Sequence, residues 1–310
     1  MQSVQALVAS IIDYAGLYPP AQLDPQRSVG TYAHIHDSKR QWMLGRLIWP
    51  VALLDDLSSL AVGQARDAVA PETQGAWAVS CVLSPAGTPE FAADLARVQA
   101  FNEQHEQVGS PAMRIDSIEM RASDAPSIER ALSQLPDDIF PYFELSLESD
   151  VRGVVASLVG EEAGAKFRTG GTTPQAHPAA GDLARALHAC ASAGVPFKAT
   201  AGLHRALCHF NHAAGATQFG FLNVFLGAAF MFGRKIDIEG LAHFLTVSSV
   251  DDIQFSEKTV MWQGARLSVE EIEESRSRFA HSFGCCSFDE PWDDLVAMEF
   301  VRAIPAGGAV

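Results

Sequence analysis

Two lysines are the candidate reactive groups of this 310-residue chain, which contains only five lysines. Lys166 and Lys198 each lie in a short apolar segment that ends in a Gly-containing turn, and a helical pattern at 181–193 joins the two segments. This arrangement predicts a βαβ unit with one lysine in each strand. A lysine is rarely buried without a partner, so a lysine in each of two neighbouring strands favours a chemical role.

The chemistry that such a pair supports is attack on a carbonyl group. Two ammonium groups held close together repel each other, which favours the loss of one proton near neutral pH. The resulting amine is a nucleophile that forms a Schiff base with carbonyl compounds. The alternative is that each lysine reaches solvent at a strand end or pairs with a carboxylate.

Carboxylates follow the same strand pattern. Glu119 and Glu144 each lie near the end of an apolar segment of strand length, and Asp13 lies in the first such segment. Side chains alternate along a strand, so Arg168 is expected to face the same way as Lys166. We expect one pocket into which both lysines, Glu119 and Arg168 open, with the other two carboxylates near it.

The elements that would position these groups alternate between strand and helix along most of the chain. About seven alternations precede the end of the lysine pair, which predicts a parallel sheet closed into a (β/α)8 TIM barrel of the α/β class. The pattern breaks at 205–276, which we interpret as an insertion after the seventh strand within a single domain at 1–310. The segment 281–288 is predicted as the last strand and its turn.

The insertion has recognisable parts of its own. The Gly- and Phe-rich segment 215–232 predicts one or two buried helices, and 238–247 predicts another helix. The segment 253–267 alternates like a hairpin. The phenylalanines of this region are expected to form the core of the insertion or an oligomer contact.

Composition excludes several classes of function. Hydrophobic residues make up 48% of the chain and charged residues 19%, which is typical of a globular protein. The formal net charge of −15 argues against nucleic acid or anionic lipid as a partner, although it permits a local cationic pocket. The cysteines are scattered and form no C-x-x-C pair, and no apolar run reaches the length of a membrane span. These features predict a soluble, cytoplasmic protein with a small-molecule substrate.

Taken together and in order, these motifs resemble those of deoxyribose-phosphate aldolase and its class I aldolase relatives. The sequence KFRTG at 166–170, followed after one helix by KATAGL at 198–203, is similar to the segments of the sixth and seventh strands of that family. The sequence FGCCS at 283–287 resembles the turn with which the family's last strand holds a phosphate. The resemblance covers nearly the whole chain outside the insertion.

The resemblance implies a Schiff-base lyase that needs no metal and no cofactor. Lys166 would form the Schiff base, Lys198 would be the neighbouring cation that favours the neutral amine, and Glu119 would be the acid/base carboxylate. The substrate would be a small carbonyl compound, phosphorylated or otherwise anionic. The groups expected to bind it are Arg168, Thr169, Gly170, Gly202, Gly284, Ser287, Glu144 and Asp13.

The chain also departs from the family at several positions. Arg168 stands where the family has a small residue, and Glu119 is longer than the family's aspartate. Cys285 and Cys286 occupy a turn that is usually richer in serine, and the chain lacks the terminal tyrosine of some members. Deoxyribose 5-phosphate is therefore not predicted as the substrate. Arg168 either binds an anionic group of the substrate or pairs with Glu144.

Two other classes of function stay open. His204, His209 and His212 suggest a metal-dependent hydrolase, although their spacing fits no standard zinc motif. A barrel without catalysis, acting as a binding protein, is the other alternative, and the retention of both lysines argues against it. The segment 18–20, Tyr-Pro-Pro, is predicted as a lid over the site or as a stiff loop.

Overall fold

A computed structural model describes residues 1–67, 76–106 and 113–302. Within these residues eight parallel strands close into a barrel, which confirms the predicted (β/α)8 fold. The barrel strands are β1 (Ile12–Tyr14), β2 (Leu44–Pro50), β3 (Trp77–Val82), β4 (Met113–Arg121), β5 (Phe140–Leu145), β6 (Gly164–Arg168), β7 (Phe197–Thr200) and β13 (Ala280–Cys285). Each strand pairs in parallel with both of its neighbours, in the order β1-β13-β7-β6-β5-β4-β3-β2.

Helices connect the strands and cover the outside of the barrel. Capping residues fix the ends of several helices. The carboxylates of Asp24 and Asp124 cap the N-termini of two helices, and Gly194 ends a third in the left-handed conformation that glycine tolerates. The helices are α1 (Gln2–Val8), α2 (Pro25–His36), α3 (Leu54–Asp67), α4 (Pro89–His105), α5 (Ala125–Leu132), α6 (Arg152–Ala156), α7 (Ala180–Ala193), α8 (Phe221–Phe232), α9 (Ile238–Phe244), α10 (Val269–Arg278) and α11 (Asp289–Ala297). None of the helices in the described ranges is long and apolar enough to cross a membrane.

The insertion follows the seventh strand, as predicted, and carries two small sheets besides helices α8, α9 and α10. A hairpin forms from β8 (His209–Asn211) and β9 (Ala216–Gln218), and a three-stranded sheet forms from β10 (Gln254–Phe255), β11 (Thr259–Trp262) and β12 (Ala265–Ser268).

The sequence-based boundaries within the insertion are partly wrong. The predicted helical segment 215–232 is shorter, because Gly215 adopts a positive φ in the turn of the β8–β9 hairpin and α8 begins only at Phe221. The predicted hairpin at 253–267 exists as β11 and β12, with Gln263 and Gly264 in left-handed conformations at its turn. Strand β10 adds a third strand to it.

Helix α8 is the core of the insertion. Its first eleven residues are buried, and Phe221 and Phe225 pack against Phe283 of the last barrel strand with ring centroids 5.6 and 5.7 Å apart. Phe219 and Phe230 are also buried, while Phe232 at the end of the helix is half-buried. The phenylalanines therefore fix the insertion to the barrel wall, as the core interpretation predicted.

Asn223 is the polar group on which the packing of α8 against α9 depends. Its side-chain amide donates to the carbonyls of Phe244 and Val247, both at 2.9 Å, and its Oδ1 accepts from the backbone N–H of Gly220 at 3.1 Å. We expect Asn223→Leu to lower the free energy of unfolding by roughly 3 kcal/mol or more, because buried backbone groups lose their partners. Urea unfolding measures this change.

The matched control is Gln254→Leu, which makes the same kind of substitution at an exposed amide in β10. It should change the unfolding midpoint very little. Equal stability of the Asn223 variant and this control would contradict the packing described here.

Candidate active site

Lys166 and Lys198 lie side by side on neighbouring strands β6 and β7, where they are register partners. Both side chains enter the barrel. Glu119 of β4 contacts both ammonium groups, with Oε2 2.8 Å from the Lys166 ammonium and Oε1 2.6 Å from that of Lys198. One buried carboxylate thus bridges both lysines.

Lys198 occupies the deepest part of the site. Its ammonium contacts Asp13 Oδ2 at 2.5 Å, and its side chain is fully buried. Asp13 is held in turn by the hydroxyl of Ser282, which donates to Oδ2 at 2.7 Å, and by the backbone N–H of Arg46, which donates to Oδ1 at 2.9 Å. The expectation that Lys198 opens into the pocket is therefore wrong; it lies beneath the pocket floor.

Lys166 lies closer to the mouth of the barrel. Its ammonium is 2.8 Å from Glu144 Oε2, and its side chain is 9% exposed. The other oxygen of Glu144 faces two arginines, Arg168 with its Nε at 3.6 Å and Arg121 with its Nε at 3.8 Å. The predicted pairing of Arg168 with Glu144 is present in the structure.

These groups form a row of alternating charge that runs from the interior to the mouth, which we call the charged row. Side-chain exposure is near zero at its first three members and rises to 46% at the last. In order, its members are Asp13, Lys198, Glu119, Lys166, Glu144 and Arg168.

Electrostatics within the charged row favour ionised groups despite burial. Burial alone would lower the pKa of Lys198, but attraction to Asp13 and Glu119 outweighs it and raises that pKa. Burial alone would raise the pKa of Glu119, but Lys166 and Lys198 hold it well below its usual range. Contact with carboxylates, rather than repulsion between the two ammonium groups, therefore dominates the electrostatics of this site.

Two adjoining chambers open above the charged row. The inner chamber, of about 320 Å³, is lined by Glu119, Glu144, Lys166 and Arg168 among others. The outer chamber, of about 660 Å³, extends towards the β8–β9 hairpin. Four residues contribute to the walls of both: Ala15, Tyr18, Arg168 and Thr200.

A third cavity, of about 780 Å³, lies apart from the charged row. Its wall includes Met231 and Phe232 of α8, Trp262 of β11 and Ala265 of β12. No member of the charged row lines it, so the two chambers above the row are the better candidate site although each is smaller.

The residues predicted to bind substrate do not all reach these chambers. Gly202 and Gly284 line the outer chamber. Thr169 instead donates its hydroxyl to the carbonyl of Ala201 at 2.5 Å, and Ser287 accepts the backbone N–H of Glu290 through its hydroxyl. The Thr169 hydroxyl holds the turn after β7, and the Ser287 hydroxyl holds the first turn of α11.

Gly170 supports the site through close backbone packing. A Cβ on Gly170 would lie 2.8 Å from the Cα of Gly202, and Gly202 itself has a φ of +83°. The ends of β6 and β7 can approach this closely only because both positions are glycine.

The histidines of the metal hypothesis are engaged in separate contacts. His204 Nδ1 lies 2.6 Å from Glu290 Oε2, His209 Nδ1 lies 3.1 Å from the carbonyl of Leu207, and the ring of His212 packs on Phe210. Across residues 1–67, 76–106 and 113–302, no three His, Cys, Asp or Glu side chains are close enough together to hold a metal ion.

Sequence reasoning missed the serines that support the carboxylates. Ser80 donates to Glu119 Oε1 at 2.7 Å, and Ser282 has the matching role at Asp13. The available signal was a lone serine inside an apolar strand, at a position whose side chain faces the barrel interior.

Tyr18 was predicted only as part of a lid or a stiff loop. In the structure Tyr18 lines both chambers. Its hydroxyl is buried without a hydrogen-bond partner among the described residues. A buried hydroxyl without a partner costs stability, and because Tyr18 lines both chambers its hydroxyl is a candidate donor to a ligand.

Comparisons of the chain with protein-family models, with curated proteins and with solved structures found no match. The resemblance to class I aldolases is therefore a prediction from the motifs, and the fold is established by the structure.

We expect Tyr18→Phe to leave the free energy of unfolding unchanged or to raise it by about 1 kcal/mol, because the variant removes an unpaired buried hydroxyl. The matched variant is Tyr32→Phe, which removes a hydroxyl that donates to the carbonyl of Gly45 at 3.1 Å. That variant should lose about 1 kcal/mol. Thermal unfolding compares the two, and an equal loss in both would show that the Tyr18 hydroxyl is paired.

Proposed function

We propose that this protein is a class I aldolase-like lyase in which Lys166 forms a Schiff base with a small carbonyl substrate. Barrels of this fold are common among enzymes, and their active sites lie at the carboxyl ends of the strands. The observation that carries the proposal is the charged row, in which one lysine lines the inner chamber while the other is sealed beneath it.

The difference in burial assigns different roles to the two lysines. Lys198 is fully buried and paired with Asp13 and Glu119, so its ammonium has neither a route to substrate nor room to become an imine. Lys166 lines the inner chamber and is the nucleophile. Lys198 holds Glu119 in position and keeps a positive charge beside it.

The reaction begins when Lys166 loses a proton and its amine attacks the carbonyl carbon of the substrate. The carbinolamine that forms loses its oxygen as water and becomes a protonated imine. The hydroxyl two carbons away then gives up its proton and becomes the carbonyl of the first product, while the electron pair of the breaking carbon–carbon bond passes to the iminium and forms an enamine. The enamine takes up a proton at carbon to become an iminium again, and water hydrolyses it to release the second product and the free lysine. The reverse sequence joins two carbonyl compounds.

The two chambers divide the substrate into two parts. The reacting carbonyl lies in the inner chamber, and the remainder extends past Arg168 into the outer chamber. Arg168 is 46% exposed and lies 3.6 Å from Glu144, beyond hydrogen-bond distance, so its guanidinium retains donors for an anionic group. This arrangement supports a substrate that is phosphorylated or otherwise anionic.

The alternative is a barrel that binds a ligand without chemistry. The observation in its favour is that Lys166 is paired with two carboxylates, Glu119 and Glu144, both at 2.8 Å. A structural ion pair of this kind needs no reaction. Trapping of an imine separates the two functions.

We expect borohydride to trap an adduct when the protein is incubated with a panel of acetaldehyde, acetone, dihydroxyacetone and pyruvate, detected as a mass increase of the intact chain. Lys166→Met should abolish the adduct. Lys198→Met should retain it but require higher pH, because the neighbouring cation is lost and Glu119 then pairs with Lys166 alone.

Lys258→Met, which removes an exposed lysine, is the control and should behave as the unmodified protein does. An adduct that persists without Lys166 and disappears without Lys198 would reverse the two roles. The absence of any adduct across the panel would favour the binding barrel.

A further inference from the structure

The carboxylate that the family resemblance implies as the acid/base group, Glu119, is poorly placed to move a proton. Its Oε1 accepts from Ser80 at 2.7 Å and from Lys198 at 2.6 Å, and its Oε2 is paired with Lys166 at 2.8 Å. Its side chain is 1% exposed. Protonation of Glu119 would remove one of the two carboxylates that pair with the fully buried Lys198 ammonium and leave Asp13, which is costly in a protein interior.

Glu144 contacts the same lysine from the opposite side and is held far less tightly. Its Oε2 is 2.8 Å from Lys166. Within the described part of the chain, the cations near its Oε1 are Arg168 and Arg121, at 3.6 and 3.8 Å, both beyond hydrogen-bond distance. The side chain is 14% exposed and lines the inner chamber. Glu144 therefore has a free oxygen that faces the chamber.

We propose that Glu144 carries the proton in the lyase reaction, while Glu119 stays ionised and holds the two lysines in place. The proposal rests on the proposed function. In the first step the proton of the Lys166 ammonium passes to Glu144 Oε2, and the nitrogen lone pair attacks the carbonyl carbon. The alkoxide that forms takes a proton from the attached nitrogen and becomes the carbinolamine hydroxyl. In the second step Glu144 returns its proton to this hydroxyl, which leaves as water while the nitrogen lone pair forms the iminium.

The charges beside Glu144 support transfer in both directions. Burial alone would raise the pKa of Glu144, but Lys166, followed by Arg168 and Arg121, lowers it while Lys166 is charged. Loss of the proton from Lys166 removes the strongest of these attractions, so Glu144 becomes a better proton acceptor at that moment. Formation of the iminium restores a cation at the same nitrogen and favours release of the proton.

Glu144→Gln distinguishes a proton carrier from a simple ion-pair partner, because it keeps the shape of the side chain and removes its charge. If Glu144 only held the ammonium, its loss would free the amine, and borohydride trapping would become faster. If Glu144 carries the proton, trapping and hydrogen exchange at the carbon next to the carbonyl should both slow by about 10²- to 10⁴-fold.

The measurements are the rate of trapping and the rate of deuterium uptake from D₂O into each carbonyl compound of the panel that the unmodified protein traps. Glu148→Gln is the matched control, since Glu148 is an exposed glutamate shortly after β5. It should leave both rates unchanged. A trapping rate in Glu144→Gln that equals or exceeds that of the control would overturn the proposal.

Chemical rescue gives a second test that a folding defect does not imitate. Glu144→Ala should be as slow as Glu144→Gln, and added formate should restore part of the exchange rate because it supplies a carboxylate to the vacated space. Sodium chloride at the same ionic strength should not. Lack of rescue in a folded variant would contradict the assignment.

The trapping experiments distinguish an error in the role of Glu144 from an error in the proposed function. If the unmodified protein traps no carbonyl compound of the panel, both are wrong. If it traps one through Lys166 and the Glu144 variants retain its full rates, the Schiff-base function stands and the proton is carried by another group.

Discussion

The contact of Glu119 with both lysines is the interaction on which the rest of the site depends. Two ammonium groups within one barrel require compensating charge, because an unpaired buried charge costs several kcal/mol. Glu119 lies between them within 2.8 Å of each, and Ser80 supports one of its oxygens. This bridge requires β4, β6 and β7 to keep a fixed register, which ties the geometry of the site to closure of the barrel.

The alternation of charge also explains how one site contains two lysines that differ in their burial. The charged row is anchored by Asp13 in the interior and ends at the half-exposed Arg168 in the chamber wall. Burial decreases along the row, so the inner groups are sealed in the barrel interior while the outer groups line the inner chamber. In the proposed reaction the inner groups hold charge in place, and the outer groups bind the substrate and transfer the proton.

Much of this architecture was predictable from the sequence. The alternation of strands and helices, the lysine in each of two adjacent strands and the place of the insertion follow from local periodicity, and all three agree with the structure. Depth within the barrel was not predictable. Lys198 is fully buried while its register partner Lys166 lines the inner chamber. Strands of a closed barrel are tilted against its axis, so register partners on neighbouring strands lie at different depths, which a local pattern does not encode.

Other misses have similar causes. The β8–β9 hairpin is formed by strands of only three residues each, too short for a period to be recognised. Tyr18 lines both chambers because elements that are distant in the sequence come together there. From the sequence, the two lysines are expected to act mainly on each other through repulsion, and the pairing of Lys166 with Glu144 is therefore not predicted. Glu119 contacts both ammonium groups, so attraction to carboxylates outweighs that repulsion.

The most direct test of the account is to map the lysine that borohydride trapping modifies in the unmodified protein. After reduction with a carbonyl compound that gives an adduct, the chain is digested and the modified peptide is sequenced by mass spectrometry. We expect a single modified residue, Lys166, with Lys198 unmodified. Modification of Lys198, or of the surface lysines to the same extent as Lys166, would contradict it.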